Sequence, residues 1–138
     1  MSLLARRDYS CQELTERLCT RGYATDEAAA VVARLAEERA VSDSRYGSER
    51  VRVRSAQGVG PLRIRAELQA KGVAPEVIAA VLDGRDPEWR ERACRARRKR
   101  FGEALPSDRA ERARQSRFLQ TRGFSVEHII FAVSTPRT

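Results

Sequence analysis

Asparagine is absent from this chain of 138 residues, and histidine, methionine and tryptophan occur once each. Each shortage removes a class of function. The only histidine, His128, stands alone at a helix start, so no Ser/His/Asp or Cys/His catalytic set is expected, and His128 reads as an ordinary residue in the first turn of a helix. No metal-ligand spacing exists. Three cysteines is an odd number. Cys11 and Cys19 fall on one predicted helix, about 12 Å apart at helical rise, too far to bond. Cys94 lies among arginines, so a reduced, cytoplasmic chain is expected. There is no signal-peptide core and no apolar run long enough to cross a membrane. The one glycine-rich stretch, Gly58-Val59-Gly60, is too short for a phosphate cradle and follows a helix instead of a strand, so it is turn chemistry. The carboxylates mostly stand one helical turn from arginines, as Glu13 does from Arg17, and read as a solvated face. No enzyme activity and no cofactor are expected. Without asparagine, readout of base edges has little to work with.

Positive charge is what the chain has in excess. The formal net charge is +8 and the isoelectric point about 10.4. Residues 1–41 hold six basic and seven acidic side chains; the remainder holds 21 and 12, a surplus of nine. A near-neutral beginning followed by basic modules suggests surfaces with different partners. From Arg90 to Arg100 there are seven cations against Glu91 alone. Within that run Arg95, Arg97, Arg98, Lys99 and Arg100 cover more than one side of a helix. A second basic helix carries Arg114, Arg117 and Arg122. Arg50, Arg52 and Arg54 lead into a central motif containing Arg63, Arg65 and Lys71. These side chains are the candidates for phosphate-backbone attraction.

The central motif runs Gly60-Pro61-Leu62-Arg63-Ile64 through Leu68-Gln69-Ala70-Lys71-Gly72. Pro61 suits the first position of a helix, Ile64 and Leu68 share one face, and Gly72 closes the helix. The closing pattern recurs. Leu18-Cys19-Thr20-Arg21-Gly22-Tyr23 and Leu119-Gln120-Thr121-Arg122-Gly123-Phe124 match Leu68 to Val73. Each is Leu, two residues, a cation, glycine and a large apolar residue, with an acid three residues on (Asp26, Glu76, Glu127). The glycines lie 50 and 51 residues apart, which argues for a helical array.

Start signals complete the outline. Leu3 to Arg7 reads as the tail of a helix. Ser10 and Glu13 form a capping box for a helix carrying Leu14 and Leu18. Thr25 caps a helix with Ala28, Val31, Val32 and Leu35 as its stripe. Ser42-Asp43 is read as opening a separate third helix. Pro75 starts a helix burying Val77, Ile78, Val81 and Leu82. Asp86-Pro87 starts one burying Trp89 and Ala93, Asp108 caps the next, and Ser125 caps a last helix with Ile129, Ile130 and Val133 inward. The expected fold is all-α: three tandem three-helix repeats forming an elongated, curved array, over 1–57, 58–102 and 103–138, the last with two helices and a tail.

In this order and spacing the motifs resemble the RecX family, regulators of the RecA recombinase. The resemblance rests on Tyr9-Ser10, Glu13-Leu14 and Leu18-x-x-Arg21-Gly22; Asp43-x-x-Tyr46; the central motif; Arg97-Arg98-Lys99-x-Phe101-Gly102; and Arg117-Phe118-Leu119-x-x-Arg122-Gly123-Phe124. It covers nearly the whole chain, departing at the start, where the lead-in to the first repeat is short. It implies three tandem three-helix repeats and binding in the groove of the RecA filament on single-stranded DNA, limiting recombinase and coprotease activity in recombination, repair and the SOS response. The partners implied are RecA and DNA, single-stranded and also double-stranded, with no membrane and the protein a monomer. An alternative from the residues alone is a stand-alone, sequence-tolerant DNA-binding helical protein; a second is a helical scaffold for an acidic protein partner.

Overall fold

The computed structural model describes residues 11–134. Among them are seven helices and no strand: α1 (Cys11–Thr20), α2 (Thr25–Ala56), α3 (Pro61–Ala70), α4 (Pro75–Val81), α5 (Glu88–Phe101), α6 (Arg109–Thr121) and α7 (Val126–Ser134). The proposed helix tail at Leu3 to Arg7 and the side chains of the Ser10/Glu13 capping box and Leu14 lie outside the described residues.

The helix ends follow from local chemistry. The Asp108 carboxylate accepts from the Glu111 N–H at 2.8 Å, an N-cap. The Asp86 carboxylate accepts from the Glu88 N–H at 3.0 Å, and the Ser125 hydroxyl from the His128 N–H at 3.3 Å. Thr25 is different: it is the first helical residue, and Ala24 stands at the cap without a side-chain bond. At the other ends one device repeats. The N–H of Tyr23, Val73 and Phe124 donates to the carbonyl of Leu18, Leu68 and Leu119, at 3.2, 3.1 and 3.1 Å. Between the members of each pair stands a glycine of positive φ: Gly22, Gly72 or Gly123. This six-to-one bond is a Schellman turn, so the sequence repeat is a repeat of backbone hydrogen bonding.

The expected break at Ser42-Asp43 does not occur; α2 continues through it to Ala56. The reason lies in its burial pattern. Ala28, Val32, Leu35, Arg39, Asp43, Gly47, Arg50, Arg54 and Ser55 are all buried or half-buried, three or four residues apart with a step of one at the end. That stripe never changes phase, no proline interrupts it, and its one glycine, Gly47, sits buried on the stripe itself, where a Cβ would meet Val81 at 3.0 Å. Asp43 is buried against the helix, with Arg39 one turn back at 3.7 Å.

Two cores result. The smaller holds Leu18, Ala28 and Val32, with Cys19 and Val31 against it. The larger runs through Val59, Ile64, Leu68, Val73, Ile78, Leu82, Trp89, Ala93, Leu119, Phe124, Ile129 and Val133. Helix α2 reaches both: its first half packs on α1, its second on α3 and α4, while α5, α6 and α7 pack on one another. Gly58 thus lies inside a unit made of the end of α2, α3 and α4. Of the expected inward residues, Leu18, Val32, Ile64, Leu68 and Ile129 are buried, and Leu35 and Val81 are half-buried at the rims. Ile130 is 58% exposed. It follows Ile129 by one residue, hence about 100° round the helix, and His128 takes the inward place instead.

Candidate polyanion-binding surface

The turn before α3 and the turn after α6 hold the larger core's two halves together. The Gly60 N–H donates to the Arg122 carbonyl at 2.8 Å and the Leu62 N–H to the Gly123 carbonyl at 2.9 Å. A Cβ on Gly60 would lie 2.5 Å from the Gly123 carbonyl carbon, and one on Gly123 would lie 2.3 Å from the Arg63 Cβ. The glycines are therefore more than helix stops: they permit backbone contact between sequence-distant turns. Pro61 is buried in the same junction. It fixes the direction in which α3, with its cations, leaves the junction.

The candidate cations divide by what they meet. Arg54 grips Glu67 with two bonds of 3.0 and 2.9 Å and donates to Gln57 at 2.7 Å. Arg63 at 3.6 Å and Arg50 at 3.9 Å approach the same carboxylate. Three guanidiniums thus surround one partly buried acid, and most of their charge is uncompensated locally. Arg63 also donates to the Thr121 carbonyl at 3.4 Å. Arg52 pairs with Glu49 on the exposed side, and that pairing holds the Glu49 carboxyl below its ordinary range.

Arg97 is not a surface cation. It is 2% exposed, and its guanidinium donates to the carbonyls of Ala104 and Glu103 at 3.0 and 3.2 Å and to the Gln115 amide oxygen at 3.3 Å. It clamps the α5–α6 loop onto α6. Four residues after Ala93, it falls on the buried face of α5. Arg95, Lys99 and Arg100 on α5 and Arg114 and Arg117 on α6 are exposed, with Arg98 and Arg122 half-buried; Lys71, at the end of α3, is exposed and Arg65 half-buried. Arg114 pairs with Glu111 at 3.2 Å. The basic surface is therefore built from two helices at one end of the larger core, bounded by the Gly58 turn.

Aromatic side chains interleave with these cations. Phe101 and Phe118 meet edge to face with centroids 5.3 Å apart. Arg100 lies 5.3 and 5.9 Å from the two rings, Arg114 5.0 Å from Phe101, and Arg122 5.2 Å from Phe118. The reading from sequence missed this pair and Glu67. Two dipeptides, Arg100-Phe101 and Arg117-Phe118, carried the first signal; the i, i+4 spacing of Arg63 and Glu67 carried the second.

Burial pushes the Cys94 thiol up, with Glu91 adding to the rise and Arg98 and Arg97 opposing it. His128 is held below the ordinary imidazole range by burial; Glu127 opposes this and Arg90 adds to it. Arg90 pairs with Glu127 and keeps that carboxyl low. Among the described residues no group of His, Cys, Asp and Glu could hold a metal ion, and no helix is long and apolar enough to cross a membrane.

Comparison with known proteins gives three consecutive family matches. They are RecX first three-helix domain over residues 1–35, RecX second three-helix domain over 42–82, and RecX third three-helix domain over 86–133. A protein of Chromohalobacter salexigens named regulatory protein RecX is 46% identical over 132 residues, covering 96% of this chain and 86% of its own length. Proteins of the same name from Halorhodospira halophila and Pseudomonas putida are each 40% identical over 129 residues. Both cover 94% of this chain, and 80% and 83% of their own lengths.

Proposed function

The chain belongs to the RecX family, and from that premise we propose that it regulates the RecA recombinase, mainly as an inhibitor. In this reading it lies in the groove of the RecA filament on single-stranded DNA and limits strand exchange and coprotease activity. It acts in the cytoplasm, as a monomer, and by binding alone. The observation that carries the reading is the set of cations at the ends of α5 and α6, beside the three arginines gathered on the single carboxylate of Glu67. Such a surface attracts a phosphate backbone by releasing its counterions. The junction of Gly60 and Gly123 presents it on a rigid frame, so little ordering cost attends binding. Inhibition then needs no chemistry. A ligand that binds one state of the filament better than another shifts its population.

The test is ATP hydrolysis by RecA on single-stranded DNA with and without this protein, beside binding to bare DNA and to RecA alone. The reading expects slower hydrolysis and tighter binding to the filament than to either component. Unchanged hydrolysis and strand exchange would overturn it. Tight binding to bare DNA with no effect on RecA would support the stand-alone DNA-binding alternative.

A further inference from the structure

We propose that the cleft between the Gly58 turn, the end of α5 and the end of α6 is a stacking site for one base of single-stranded nucleic acid, with the neighbouring phosphate on Lys99, Arg100 and Arg122. The proposal deepens the reading above, since it rests on the protein meeting DNA within the filament. The cleft has a volume of about 240 Å³, and no carboxylate stands among its lining residues. Gln57 and Gly58 form one wall, Lys99 and Arg100 a second, and Phe118 with Arg122 the third.

Electrostatics leaves room for an anion there. Helices α2, α5 and α6 all end at this cleft. Their carbonyl ends carry roughly half a negative charge each, which offsets about half of three cations and leaves the rest for a ligand. Cation placement at helix ends is thus partly a matter of stability, but the surplus is not. The glycine opens the floor: Gly58 has a positive φ, and a Cβ there would already touch Ala96 at 3.8 Å.

The aromatic component selects among anions. Phe118 is half-buried, set edge to face against Phe101, with the Arg100 and Arg122 guanidiniums over its ring at 5.9 and 5.2 Å. Ring faces and guanidinium planes are the surfaces on which unpaired bases stack. An acidic peptide satisfies the cations but brings no planar group to such a wall. A duplex keeps its bases stacked on one another and offers only phosphate. Single-stranded nucleic acid uses both components.

The experiment compares three labelled probes at equal salt: oligothymidylate, an abasic strand of the same length, and a duplex. Wild type is expected to bind oligothymidylate several-fold more tightly than the abasic strand. Phe118→Leu is expected to abolish that preference and keep the salt dependence, while Phe118→Trp preserves both. Joint replacement of Arg100 and Arg122 by Gln is expected to flatten the logarithmic salt slope by about 1.4, at roughly 0.7 per single-strand phosphate contact. Equal binding of the abasic strand by wild type overturns the proposal. So does a preference that survives Phe118→Leu, or displacement of oligothymidylate by polyglutamate at equal charge, which would indicate an acidic protein segment. RecA hydrolysis measured in parallel separates the two claims. Inhibition that persists without base preference removes this site and leaves the regulatory reading. Base preference without inhibition does the reverse.

Discussion

Gly123 satisfies two demands at once, and both can be tested. Its φ of +96° is a conformation that costs a residue with a Cβ roughly 1–2 kcal/mol. Its α-carbon also faces the backbone of Arg63 with no room for a methyl group. Gly60 bears only the second demand, against Gly123. Gly60→Ala is expected to lower the unfolding free energy by about 1–3 kcal/mol, the range for forced overpacking, and Gly123→Ala by more. Urea unfolding checks both; equal stability to wild type would show that the turns can part without loss. Arg97→Ala is expected to cost about 1–3 kcal/mol, because it strands two carbonyls and the Gln115 amide away from water. Lys99→Ala is expected to leave stability unchanged and to weaken DNA binding. At residue scale, then, only part of the site was legible. Arg97 stood in a run of four cations, and its partners are main-chain carbonyls, which leave no mark in a sequence. The contact of Gly60 with Gly123 was equally silent, since glycine signals a permitted turn without naming its neighbour. His128 gives a pH signature. Its folded pKa lies below the unfolded 6.5, so the unfolded chain takes up the proton first. Stability from this residue is present above pH 6.5 and lost as pH falls through the depressed folded value. His128→Gln is expected to reduce the acid-side drop in the urea midpoint.

At the scale of elements, starts and stops were read well where a side chain caps its own helix, as at Asp108, Asp86 and Ser125. Ser42-Asp43 misled because those residue types favour caps but do not compel them. The buried stripe from Ala28 to Ser55 carries the helix through, and Asp43 turns inward with it. Between the two cores α2 is more exposed, with Val41 at 56%. Val41→Pro removes a helical bond there and costs about 3 kcal/mol or more. Hydrogen exchange is expected to show lost protection around the substitution and in α1, with α3 to α7 unchanged. Uniform loss of protection across the chain would mean that the two cores fold as one.

The whole molecule is a near-neutral end joined to a basic body, and composition alone shows that asymmetry of charge. Its organisation into two cores left no such mark, because the repeat has three members while burial joins the second and third. Binding to DNA or to the RecA filament is expected to weaken steeply with salt. The Lys99→Ala/Arg100→Ala variant is expected to lose more of the salt slope than Arg63→Ala/Arg65→Ala/Lys71→Ala; the reverse order would make α3 the face that meets phosphate. A slope equal to wild type in both would assign these cations to solvent. The long helix has a consequence of its own. At 32 residues it is about 48 Å long, and as one continuous helix it sets both the distance and the angular phase between the two cores packed along its halves. A partner with a regular spacing is therefore read as by a vernier. One residue inserted after Ala40 advances the first core by about 1.5 Å and turns it by about 100°, while seven residues advance it by about 10.5 Å and leave it only about 20° out of phase. If orientation matters more than reach, the longer insertion will bind the filament better than the shorter one.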